Sequence, residues 1–167
     1  MKPEQAAPAA HLVPTVRRQH LIPEAIRALG IIAESDYLDL FTVTTSGVTS
    51  ASPERWARAA IEEAQGLKAQ FVWRVLLGLR LGWGTSPDHV GGWRIAERGP
   101  DWLRVQADSW LLTAHLVFHV DDRHTSVATV IHYNHPMASR LWPVMSMEHR
   151  RAMPGVLRGA HRVQAGR

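Results

Sequence analysis

A chain of 167 residues makes one domain and is long enough to bury its own core, and the absence of cysteine excludes disulfide scaffolds, thiolate metal sites and cysteine nucleophiles together. The formal charge of +4 is almost entirely arginine, with Lys2 and Lys68 the only lysines, which suits anionic contacts or salt-bridged surfaces without establishing nucleic-acid binding. MKPEQAAPAAHLVPTVRRQH carries prolines and charges where a secretory signal needs an apolar run, and no later stretch approaches the ~18 uninterrupted apolar residues of a membrane span, so a soluble, cytoplasmic chain is expected.

Residues 1–20, rich in alanine and proline, are expected to form a mobile tail. IPEAIRALG predicts a short helix with Pro23 near its first turn and Gly30 at its stop. DYLDLFTVT alternates as a strand, with Tyr37, Asp39, Phe41 and Val43 on one face and Leu38, Leu40 and Thr42 on the other. SPERWARAAIEEA opens a second helix, Ser52 as N-cap, Pro53 in its first position and Glu54 complementing its positive end. LKAQFVWRVLLGLRLG continues the helical pattern, with Phe71, Val72, Val75, Leu76 and Leu79 on one side. GWGTSPDHVGG then reads as turns or a loop over a pocket mouth.

From Trp93 the period changes to two. WRIAE and WLRVQA predict a hairpin around RGPD, and LLTAHLVFHV pairs with TSVATVIHYN around DDRH. The chain ends in a long helical segment, PMASRLWPVMSMEHRRAMPGVLRGAHR, in which Pro143 and Pro154 should each kink or break the helix.

Five of the ten histidines fall between residues 110 and 135. His115 and His119 would share a face of a helix and suit a metal, but on a strand rising ~3.3 Å per residue they stand about 13 Å apart, beyond one ion with bonds of about 2.1 Å. The β-branched, alternating composition favours the strand. Pairing across DDRH sets Thr113, His115 and Val117 opposite His132, Val130 and Ala128. One face then carries Thr113, His115, Val117, His119, Ser126, Ala128, Val130, His132 and Asn134. The other carries Leu112, Ala114, Leu116, Phe118, Val120, Val127, Ile131 and Tyr133, with Thr125 and Thr129. The apolar face is expected inside and the histidines on a solvated outer face without metal, and a one-residue slip would exchange the faces. In the C-terminal helix, Leu141, Met145, His149, Ala152, Val156 and Ala160 form one stripe, so His149 is expected as a core histidine with one hydrogen-bonded nitrogen.

The order strand, two helices, antiparallel hairpins, long C-terminal helix resembles the START-like (SRPBCC) superfamily of helix-grip proteins, and within it an actinobacterial branch. The resemblance is carried by SDYLDLFTV leading into SPERWARAAI, by GWRIAERGPDWLRVQADSWLLTAHLVFHVDD and by HRRAMPGVLRGA, and spans about residues 20–162. It implies an α+β fold in which a curved antiparallel sheet grips the C-terminal helix over a hydrophobic cavity. The expected organisation is a tail at 1–20, one START-like domain at 21–162 and a C-terminal tail at 163–167.

Members bind lipids, sterols, polyketides or plant hormones, and a minority catalyse cyclisation or aromatisation. The expected partner is therefore a small hydrophobic ligand, in a cavity walled by Leu116, Phe118, Ile131, Tyr133, Met145 and His149 with adaptable methionine in its wall. A solid core made of the same side chains is the alternative. An enzyme moving protons on an apolar substrate is left open, with Tyr37, Asp39 and Phe41 on one face and Asp39 as a general base of raised pKa, against a salt-bridged aspartate. No nucleophile elbow, phosphate loop or dinucleotide fingerprint is present, and no cofactor or metal is expected. Arg140, Arg151, Arg158 and Arg162 form a basic stripe that leaves transient membrane-surface contact open, as is a homodimer; the scattered tryptophans do not make a nucleic-acid platform.

Overall fold

The computed structural model describes residues 14–29, 34–45, 51–83 and 86–166. Residues 1–13 of the expected N-terminal tail, Gly30 as the stop of the first helix, and residues 84–85 of the turn-rich stretch lie outside the described residues. The described elements are β1 (Val16–Gln19), α1 (Glu24–Leu29), β2 (Tyr37–Thr44), α2 (Pro53–Arg58), α3 (Gly66–Phe71), β3 (His89–Val90), β4 (Trp93–Arg98), β5 (Trp102–Asp108), β6 (Leu112–Val120), β7 (His124–Tyr133) and α4 (Pro136–Ala165). Wide π-helical stretches, Ala59–Ala64 and Val72–Leu76, extend α2 and α3.

Among the described residues the strands form one antiparallel sheet of seven in the order β1-β2-β7-β6-β5-β4-β3, with α4 on its inner face. This α+β arrangement is compatible with a helix grip. The hairpin register is the expected one, with Thr113, His115 and Val117 opposite His132, Val130 and Ala128. Because side chains alternate, that register turns Ala114, Leu116 and Phe118 of β6 and Val127 and Ile131 of β7 into the main core with Phe41 and Val43 of β2.

The other face is not simply solvated. Ile26 of α1 packs with Leu40, Val117 and Ala128, joined by Ile22, Leu29 and Leu38, so the back of the sheet carries its own apolar layer. His115, on the same face of β6, is buried at 7% exposure, which corrects its expected place on a solvated surface. His119, His124 and His132 sit on acidic neighbours instead, at 3.4 Å from Asp101, 3.4 Å from Asp121 and 3.3 Å from Asp36. Among the described residues no group of three or more histidine, aspartate or glutamate side chains is placed to hold a metal ion, and no helix is long and apolar enough to cross a membrane.

Three further expectations change. Parts of both expected tails lie in regular structure: Val16–Gln19 pair with β2, and α4 runs on to Ala165, where buried Gln164 donates from Nε2 to the Arg55 carbonyl at 2.9 Å and ties the helix end to α2. Pro143 and Pro154 do not end α4, which continues through both; each proline only withholds an N–H from the carbonyl one turn back. The helical pattern expected to reach Leu79 stops at Leu76, where Gly78 at φ +59° takes a left-handed turn that other residues resist. Phe71, Val75 and Leu76 are consequently 58%, 60% and 51% exposed, while Leu79 turns inward.

Candidate functional site

Between the inner sheet face, α4 and the stretch from Ala60 to Leu79 lies a cavity of about 740 Å³. The sheet supplies Leu112, Ala114, Leu116, Phe118, Val127, Thr129 and Ile131; α4 supplies Trp142, Met145, His149, Met153 and Val156; the remaining wall includes Ile61, Val72, Trp73, Leu76 and Leu79. The volume exists because α4 is held away from β5 and β6 along its middle while its C-terminal part closes on the stretch after α2. There a Cβ added at Gly159 would stand 3.0 Å from the Ala64 Cβ, so glycine allows the close approach. No described side chain of Gly66–Leu76 is fully buried, so this part of the wall is thin.

Polar groups in the wall are few. Thr129 and His149 meet at one place, and Gln65, Lys68 and Glu148 stand elsewhere, the last two exposed. His149 is fixed from the sheet side. Its Nε2 lies 3.2 Å from Asp39 Oδ2 and 3.2 Å from Thr129 Oγ1, residues that face each other across β2 and β7. The Tyr37 hydroxyl donates to the same Asp39 oxygen at 2.5 Å. Arg150 Nη1 donates to Ser146 Oγ at 3.1 Å and reaches the Tyr37 oxygen at 3.5 Å. Around the imidazole stand the rings of Tyr37, Phe41 and Trp142, with centroids 6.5, 6.3 and 6.2 Å away.

Asp39 is 1% exposed, and its Oδ1 has no hydrogen-bond partner among the described residues. Burial pushes its carboxyl up, but the hydrogen bond and charge of His149, with the Tyr37 and Thr129 hydroxyls, outweigh that and hold it below the usual carboxylate range. The open alternative of Asp39 as a general base of raised pKa is therefore not met, and the salt-bridged reading set against it fits: Asp39 is a paired carboxylate, and its partner is His149. Burial, followed by the hydrogen bond to Asp39, pushes the Tyr37 phenol well above its ordinary value, so it stays a donor.

Of the nine residues singled out in the sequence, Leu116, Phe118, Ile131, Met145 and His149 line the cavity. Tyr37, Asp39 and Phe41 gather behind His149 rather than in the wall. Tyr133 shares the inward row of β7 but lies beyond the cavity, half-buried at the strand end. Sequence reasoning missed Thr129 as a partner, although it is a polar residue in an otherwise apolar row, and Trp142, which stands two helical turns before His149 on the same stripe. No protein-family model, curated protein or solved structure matches this chain.

Proposed function

We propose that this protein binds a small hydrophobic molecule, of the size and character of a lipid, polyketide or steroid, in the cavity between the sheet and α4, as a START-like helix-grip protein would. The support is the cavity itself: about 740 Å³, within the range of small-molecule sites, with a wall that is apolar apart from a few polar groups. Such a volume is far more than close packing leaves by accident, since interiors hold few voids larger than a water molecule. An apolar occupant gains by leaving water and finds one hydrogen-bonding place, at His149 and Thr129, to fix its orientation.

The test is a titration with N-phenyl-1-naphthylamine, a neutral dye that fluoresces in apolar surroundings. Saturation near one equivalent is expected, together with loss of binding in Ala114→Phe, which puts a ring into the cavity from the middle of β6. A dye that does not bind the parent protein, or binds Ala114→Phe equally well, contradicts the proposal.

A further inference from the structure

We propose that His149 is a general base within this cavity, acting on an apolar molecule with an acidic C–H next to a carbonyl group and shifting its proton between carbons. This rests on the cavity being a binding site and adds a reaction to it. An ionised carboxylate only accepts hydrogen bonds, so the Asp39 oxygen beside Nε2 calls for the ring hydrogen on that nitrogen. The neutral ring then carries its lone pair on Nδ1, which has no hydrogen bond to a described residue, on a side chain that itself lines the cavity. A carboxylate behind a histidine fixes its tautomer and stabilises the imidazolium formed when the ring takes a proton.

Asp39 is kept ionised for that role, as its lowered carboxyl value indicates. It and Tyr37 are positioning residues, since neither lines the cavity and both stand behind His149. Among the described residues, the charged or titratable groups gathered behind the ring are Asp39 and Tyr37 from β2 and Arg150 from α4, while Glu148 from α4 and Lys68 from α3 stand elsewhere in the cavity wall. In the reaction the C–H bond breaks, its proton goes to Nδ1, and its electron pair enters the carbonyl as an enolate. The proton returns to the same or another carbon, giving an epimer or isomer, so no oxidant, reductant or co-reactant is consumed.

The experiment uses 5-nitrobenzisoxazole, an apolar probe whose C–H proton is taken by a base while the N–O bond breaks and a coloured cyanophenolate leaves. Saturable turnover by the full chain is expected, inhibited competitively by N-phenyl-1-naphthylamine. His149→Gln should lower it on the order of 10²-fold while still binding the dye. Asp39→Asn should lower it less and move the acid limb of the pH–rate profile to lower pH, a change that a purely structural role for Asp39 would not produce. If the dye binds, the probe displaces it, and parent turnover equals that of His149→Gln, the base is overturned while the cavity stands. If the dye does not bind at all, the binding site fails and the base with it. Should His149→Gln not fold, parent turnover that persists under saturating dye overturns the inference alone.

Discussion

Asp39 and His149 stand far apart in the chain, and each looks ordinary in the sequence: an aspartate on a strand, a histidine on an apolar stripe. The alternation of DYLDLFTVT was enough to put Tyr37 and Asp39 on one face, and the 3.6-residue period enough to turn His149 inward. That the two faces meet depends on how α4 lies across β2 and β7, which no local pattern encodes. The resulting cluster has a measurable energy. Tyr37→Phe removes the donor to a buried carboxylate and should cost about 1–3 kcal/mol in urea unfolding. A variant as stable as the parent would show that the carboxylate does not depend on the phenol. The pH dependence has a definite sign. Since the folded Asp39 carboxyl is held below its unfolded value of ~3.9, the stability it contributes is complete at neutral pH. It declines as the pH falls below that unfolded value and is lost through the lower folded one. The stability gap between parent and Asp39→Asn should accordingly narrow from pH 5 to pH 2 in urea titrations, and a gap that widens there would reverse the assignment.

At the level of elements, the hairpins and their register were legible because turn clusters and strict alternation leave one pairing that keeps Leu116, Phe118 and Ile131 inside. The cover on the back of the sheet was not. α1 is only six residues long with one buried residue, Ile26, and its apolar neighbours Leu40, Val117 and Ala128 come from three separate strands. The helical pattern through Leu79 misled for a different reason: a periodic run does not say whether its apolar side meets a packed core or the thin wall of a cavity. From this follows a prediction for Gly66–Leu76. With no described side chain fully buried there, its amides should exchange hydrogen much faster than those of β6 and β7, and a bound apolar dye should slow them. Protection equal to that of the central strands without ligand would mean the wall is a rigid part of the core. α4 lies at the opposite extreme. Deleting residues 137–167 uncovers Leu116, Phe118 and Ile131, each worth about 1.5–3 kcal/mol when buried. The truncated chain should lose its cooperative melt in calorimetry, and a monomeric, cooperatively melting product would contradict the packing of α4 on the inner sheet face as a condition of folding.

For the whole molecule, element order led to the α+β class, with an antiparallel sheet and one long C-terminal helix, but it could not distinguish a cavity from a solid core, because the same apolar residues make either. The distinction lies in a distance between layers, to which the close approach at Gly159 contributes by letting the far end of α4 come against Ala64. The most direct measurement of this is the unfolding free energy of Phe118→Trp in denaturant. Phe118 is buried at 2% exposure and lines the cavity, so the larger ring has empty volume to enter, and a change of less than about 1 kcal/mol is predicted. A solid core would have no room for it, and a loss at or above the roughly 1–3 kcal/mol of an overpacked interior would contradict the cavity on which the proposed function stands.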